Sequence, residues 1–60
     1  MKAKEKILKL LKKEKQLSTS RIAGLIGIDY VYAVKLLHEL EQEKKIKRLE
    51  VPSAVYWSLK

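Results

Sequence analysis

The side chains best able to do covalent chemistry are scarce in this sequence. Its 60 residues include one histidine, His38, one aspartate, Asp29, and no cysteine. Nucleophilic catalysis and tetrahedral metal binding each need several such groups at one point. A glycine-rich phosphate loop of the GxxxxGK form is also missing. We therefore expect a protein that is not an enzyme and that holds no metal and no cofactor.

The abundant charged groups are cationic. Twelve lysines and two arginines stand against seven carboxylates, which gives a formal net charge of +7 at pH 7. The charge is +5 over residues 1–15, −1 over residues 29–45 and +2 over residues 46–60. A field of this sign attracts polyanions, either nucleic acid or an anionic membrane surface.

The length of the chain limits its architecture. Sixty residues make a single domain, 1–60, which buries only about 60% of the surface that the unfolded chain exposes. Without cysteine there is no disulfide framework, and no apolar run approaches the roughly 20 residues that span a bilayer. We therefore expect a cytoplasmic protein without a membrane partner. Its richness in lysine and glutamate is typical of hyperthermophiles, which gives a hypothesis about the source only.

Hydrophobic periodicity predicts three helices. Residues 2–15 have apolar side chains at helical spacing, without glycine or proline. A short second helix begins after Ser18, a good N-cap, and ends at Gly27, which suits a left-handed turn. Asp29 caps a third helix that runs to about Lys44. The predicted buried side of this helix comprises Ala33, Leu36, Leu37 and Leu40. The opposite, outer side comprises Val31, Lys35, His38 and Gln42. Val34 lies nearer to the outer side, and Tyr30 and Tyr32 lie on the flanks.

A β-hairpin is predicted after the helices, because the apolar period changes from 3.6 to 2. Its strands are residues 46–51 and 54–59, joined by a turn at Pro52-Ser53. Ile46 and Leu49 have opposite parity along the first strand, so we expect a bulge or a local twist there. The fold class is therefore α+β and mainly α.

The sequence resembles the winged helix-turn-helix family. Similar members are repressors of the multiple-antibiotic-resistance and arsenic-responsive types and many small archaeal regulators. Ala23 matches the small residue where the two helices of the motif cross, Gly27 its turn glycine and Asp29 the polar residue that opens its recognition helix. The resemblance covers nearly the whole chain and is carried by the run from Ser18 to Asp29, by Ala33, Leu36, Leu37, Leu40 and Ile46, and by Tyr56-Trp57-Ser58-Leu59.

Three departures from the family pattern bear on function. Lys44 and Lys45 stand where a glycine often follows the recognition helix, and the wing tip is short. Additional helices through which many relatives dimerise have no counterpart in these 60 residues. Z-DNA-binding domains share the architecture, but Val34 and His38 stand where their asparagine and tyrosine signature is expected.

The resemblance implies a DNA-binding protein, a transcriptional regulator or an accessory duplex-DNA binder. It would place the third helix in the major groove and the short wing, residues 46–59, on the backbone. Specific recognition would then call for a homodimer or for repeated binding along double-stranded DNA. We expect nucleoid association and no small-molecule effector. The candidate DNA-binding residues are Thr19, Ser20, Arg21, Tyr30, Val31, Val34, Lys35, His38, Lys47 and Arg48.

Two other functions stay open. The apolar Val31 and Val34 on the outer face of the third helix favour a winged helix that binds a protein in a replication, transcription or sorting assembly. RNA or a membrane surface is the third class of partner, the latter through the lysine-rich first helix.

Trp57 alternates with core residues, so we expect it to be buried.

Overall fold

The computed structural model describes residues 2–60, which form three α-helices and three β-strands. The predicted helices and hairpin are confirmed, and a short additional strand precedes the second helix. The elements are α1 (Ala3–Glu14), β1 (Gln16–Ser18), α2 (Thr19–Ile26), α3 (Tyr30–Gln42), β2 (Ile46–Val51) and β3 (Ala54–Leu59).

The second helix begins and ends as its capping residues predict. Ser18 Oγ accepts a hydrogen bond from the Arg21 backbone N–H at 3.2 Å, which satisfies a free donor of the first turn. Gly27 adopts the left-handed conformation, with φ of 72°, and its N–H donates to the Ala23 carbonyl at 2.9 Å. This turn redirects the chain sharply, so α3 can start three residues later on a new axis.

The third helix begins as predicted and ends slightly earlier. Asp29 Oδ2 accepts from the Val31 N–H at 3.0 Å. The helix ends at Gln42 rather than near Lys44, because Lys44 itself takes a left-handed φ of 63°. A lysine thus occupies a left-handed backbone conformation that favours glycine, and the Lys45 N–H donates to the Leu40 carbonyl at 3.1 Å.

The sheet has the strand order β1-β3-β2, so the last strand in sequence is the central one. Pairing along β2 and β3 is one-to-one from Ile46 and Leu59 to Val51 and Ala54, which excludes the bulge, one of the two expected alternatives. Ile46 and Leu49 have opposite parity because their side chains lie on opposite faces of the sheet. Ile46 is buried in the core, whereas Leu49 packs half-buried on the other face of the sheet, opposite Tyr56.

The hydrophobic core joins all six elements. Trp57 is only 2% exposed, which confirms its predicted burial. Ala33, on the predicted inner side of α3, is fully buried and completes that stripe. The core cluster consists of Ile7, Leu11, Leu17, Ile22, Leu36, Leu37, Leu40, Ile46 and Trp57.

An ion-pair bridge fastens α1 to α3 outside this core. Lys4 Nζ lies 2.9 Å from Glu39 Oε1 and 2.8 Å from Glu43 Oε2. Hydrogen bonds to the two carboxylates raise the pKa of Lys4, and the bond from Lys4 lowers the pKa of Glu43.

Among residues 2–60, no helix is both long and apolar enough to cross a membrane.

Candidate nucleic-acid interface

The outer face of α3 is exposed at most of its positions. While one side of the helix is locked into the core, Val31 on the other side is 73% exposed and Tyr30 is 55% exposed. Lys35 and His38 are exposed on the same side, and Val34 is half-buried. The helix therefore presents an apolar and aromatic first turn followed by one cation.

A groove connects this face to the start of α2 and to the hairpin. It has a volume of about 230 Å³, and it brings together residues of α2, α3 and β3 that are distant in sequence. Ser20 and Tyr30 line it from the two helices, and Val55 lines it from the hairpin. Arg21 is exposed beside Ser20. Since the first N–H groups of a helix attract anions, this groove has the chemistry of a phosphate contact.

Thr19 lines the same groove but is itself largely buried. It is only 7% exposed, and its Oγ1 accepts a hydrogen bond of 2.8 Å from Trp57 Nε1. The cause is local: Ser18 has extended backbone, so Leu17 and Thr19 point to the same side, toward Trp57. The alternation of Leu17 and Thr19 with the more exposed serines was the sequence signal for this strand.

His38 packs against the sheet at the edge of the candidate interface. Its ring meets that of Trp57 edge-on, with centroids 5.9 Å apart and an interplanar angle of 73°. Its Nδ1 is 3.9 Å from Glu41 Oε1. Within residues 2–60, no three histidine, aspartate or glutamate side chains are grouped as a metal site would need. His38 thus combines a packing contact with a half-exposed ring.

The structure separates the two cations at the base of the wing. Arg48 pairs with Trp57 and Lys47 with Ser58, and neighbouring strand residues point to opposite faces. Arg48 therefore lies on the face of the sheet that packs against α3, and Lys47 on the other face. Arg48 Nε is also 3.2 Å from Glu50 Oε1, a contact that the sequence prediction missed.

The tip of the wing is apolar rather than basic. Val51 is 46% exposed and Val55 is 38% exposed, with Pro52 between them in sequence. Between positions 49 and 56 the sequence has one charged residue, Glu50. The wing can therefore offer cations to a phosphate backbone at its base, whereas its tip has exposed valines, Pro52 and Ser53 but no cation.

These elements define a winged helix-turn-helix fold: a tight αL turn between α2 and α3, an exposed face on α3, and an adjacent hairpin. The chain belongs to the FaeA-like protein family, whose model matches residues 3–60. No curated protein matches the sequence.

Solved structures share this fold closely. The chain superimposes on YusO from Bacillus subtilis with a TM-score of 0.91 and 26% identity, over 97% of its own length and 43% of that chain. A mutant of MarR from E. coli, solved with operator DNA, gives a TM-score of 0.89 at 18% identity over 97% and 44%. The Zalpha domain of PKZ from Carassius auratus, solved with Z-DNA, gives 0.87 at 22% identity over 97% and 92%. The chain thus spans less than half of the YusO and MarR chains but nearly all of the Zalpha domain.

Proposed function

We propose that this protein binds duplex DNA, with α3 in the major groove, the start of α2 on the phosphate backbone and the base of the wing beside it. It would act as a transcriptional regulator or as an accessory DNA binder, without enzymatic activity. The observation that carries the proposal is the free face of α3, held next to the groove at the start of α2. The same fold in two chains solved with DNA supports it.

The geometry of α3 suits insertion into DNA. An α-helix with its side chains is about 10–12 Å across, and the major groove is about 12 Å wide. The buried stripe from Ala33 to Leu40 fixes the helix in the core, so its outer face is presented rigidly. Tyr30 and Val31 belong to the first helical turn, which enters a groove most deeply when a recognition helix approaches by its N-terminal end.

Electrostatics supply most of the proposed affinity. A net charge of +7 attracts the phosphates of DNA over long range, and each neutralised phosphate releases counterions. The proposed phosphate contacts are Arg21, Ser20, Lys35 and Lys47, with Arg48 restrained by Glu50. Such a protein would be associated with the nucleoid, and it would bind constitutively rather than under the control of a small molecule.

Sequence preference would arise from apolar contact. The outer face of α3 has no arginine, asparagine or glutamine before Gln42, and these are the side chains that read guanine and adenine bidentately. Val31 is exposed enough to contact thymine methyl groups, whereas half-buried Val34 is less accessible. We therefore propose weak readout by one copy, with a homodimer or repeated binding needed for useful specificity.

A protein partner is the second candidate for this face. Tyr30, Val31 and Tyr32 are exposed by 55%, 73% and 46%, and exposed aromatic and aliphatic clusters mark protein interfaces. Val31→Ser separates the two functions. It should abolish the contact with a protein partner but leave non-specific DNA affinity nearly unchanged, because that affinity comes from cations.

Salt-dependent binding tests the DNA proposal directly. Fluorescence anisotropy with a mixed-sequence duplex should show an affinity that falls with a slope of about −0.9 per phosphate neutralised in a plot of log K against log salt. A polyglutamate peptide of matched charge is the control, and it should bind much more weakly. Absence of duplex binding at low salt would exclude the proposal and leave the protein-binding face as the remaining candidate.

A further inference from the structure

A second groove lies between α1 and the end of the sheet that is remote from the wing tip. It has a volume of about 410 Å³ and is lined by two leucines, Leu8 and Leu59, and three lysines, Lys9, Lys12 and Lys45. Both leucines are half-buried and pack against the core cluster. The groove therefore has an apolar floor on a rigid base and a cationic rim.

This groove is separate from the proposed DNA interface. Leu59 pairs with Ile46 at one end of the hairpin, and Ala54 pairs with Val51 at the other end. Five residue steps along a strand correspond to roughly 17 Å. None of the ten candidate DNA-binding residues lines this groove. A partner bound here would leave the outer face of α3 accessible.

The charge of the rim identifies the kind of partner. Lys45 Nζ is 3.6 Å from Glu43 Oε1. The other oxygen of that carboxylate is 2.8 Å from Lys4 Nζ, so two lysines share one negative charge. No carboxylate is among the residues that line the groove. A second copy of this chain, itself at +7, is therefore a poor occupant, whereas an acidic surface is complementary.

We propose that this groove binds an acidic amphipathic helix of a partner protein. Apolar side chains at positions i, i+3 or i+4, and i+7 would cover Leu8 and Leu59, while flanking glutamates or aspartates would pair with Lys12 and Lys45. The open shape favours a helix over a small molecule, because ligand sites enclose most of their ligand. The proposal does not depend on DNA binding.

A model peptide tests this surface without knowledge of the natural partner. The probe is a fluorescein-labelled helical peptide with leucines at the stated spacing and glutamates on both flanks. We expect it to shift the amide NMR signals of Leu8 and Leu59 and to leave those of Val31 and Lys35 unchanged. Lys12→Glu should weaken its binding by at least about fivefold, because a like charge then faces its flank.

Matched controls decide the outcome. Lys6→Glu makes the same charge change on an exposed position about 160° round α1 from Leu8, and it should weaken the peptide less than about twofold. A peptide with serines in place of the leucines should lose its binding. The proposal is overturned by equal losses in the two lysine variants, by undiminished binding of the serine peptide, or by signal shifts centred on α3. Self-association that Lys12→Glu abolishes, measured by sedimentation, would replace the acidic partner with a second copy. Thermal melts establish that both variants are folded.

Discussion

Trp57 Nε1 donates a hydrogen bond of 2.8 Å to Thr19 Oγ1, in the interior of the protein. The two residues are 38 positions apart in sequence, and their bond ties the central strand of the sheet to the first turn of α2. The neighbouring Ser20 is exposed on the candidate interface. The position of that interface relative to the wing is thus set by a buried contact.

Removing the acceptor of this bond should destabilise the fold. Thr19→Val keeps the shape of the side chain but leaves the indole N–H of Trp57 buried without a partner. We expect a loss of about 1–3 kcal/mol in the free energy of unfolding, measured by urea denaturation. Trp57→Phe in the Thr19→Val background removes the unsatisfied donor, so the double variant should lose less than the sum of the single losses. Additive losses would show that the bond contributes nothing. Ser20→Ala, on an exposed neighbour, is the control and should change little.

Replacement by alanine should change the stability of the fold in opposite directions at Gly24, inside α2, and at Gly27, its C-cap. Gly27 has φ of +72°, which an L-residue adopts only with strain, so Gly27→Ala should cost about 1 kcal/mol. Gly24 lies inside the helix with nothing within 4 Å of an added Cβ, so Gly24→Ala should add about 0.5–1 kcal/mol. Thermal denaturation of the pair measures both effects. A stabilising Gly27→Ala would contradict the assigned turn.

The bridge from Lys4 to Glu39 and Glu43 should make stability depend on pH. The pKa of Glu43 is lowered from its ordinary value of 4.5, so the folded state binds fewer protons than the unfolded state near that pH. The resulting stabilisation is present above pH 4.5 and is lost as the pH falls through the lowered value. The pKa of Lys4 is raised above 10.5, so its stabilisation is full below that pH and is lost as the pH rises through the raised value.

Lys4→Gln is the variant that measures this effect. The difference in Tm between the wild-type protein and Lys4→Gln should be largest near neutral pH and should shrink in acid, as Glu43 becomes protonated. Lys6→Gln removes a charge from the same helix at an exposed site and should show no such acid convergence. A difference between wild type and Lys4→Gln that stays constant from pH 7 to pH 2 would refute the assigned role.

The proposed contact of Lys35 with DNA should be visible in the salt dependence of binding. Lys35→Ala removes one cation from the outer face of α3, so the slope of log K against log salt should become shallower by about 0.9. Lys13→Ala, at an exposed position of α1, changes the net charge equally and should leave the slope nearly unchanged. Equal changes in the two variants would argue against α3 as the DNA-binding element.

The carboxylate of Glu50 should limit the affinity of the wing for DNA. Glu50→Gln removes a negative charge and releases Arg48, so we expect duplex affinity to rise about threefold at low salt. The stability of the fold should hardly change, since this ion pair is exposed and such pairs contribute about 0–1 kcal/mol. Arg48→Ala should lower the affinity. An unchanged affinity in both variants would place Arg48 outside the DNA contact.

Local sequence signals were enough to predict the helices and the hairpin. Ser18, Gly27 and Asp29 act through backbone groups two to four residues away, so their roles can be inferred without knowledge of the tertiary structure. The spacing of Leu36, Leu37 and Leu40 likewise predicted the buried side of α3. The two strands of the hairpin were predicted at their observed bounds because a Pro-Ser turn separates two runs of β-forming residues.

The errors arose where distant residues decide the structure. β1 has only three residues and exists because β3 lies beside it, about 40 positions later in the sequence. The hydrogen bond between Thr19 and Trp57 was not predicted, because the two residues are equally distant in sequence. Glu50 was not connected with Arg48, although residues two apart lie on the same face of a strand. Ser20 and Tyr30 meet Val55 in one groove because α2, α3 and β3 pack together, which sequence spacing does not reveal.

The central place of β3 has a consequence for how the protein folds. In the part of the chain that the structure describes, neither β1 nor β2 has another strand to pair with, and Trp57 fills the core from β3. A chain that ends at Ser53 would therefore lack both pairings of the sheet and part of the core. Folding of this domain therefore requires residues 54–59, and it should proceed as one cooperative event rather than helix by helix.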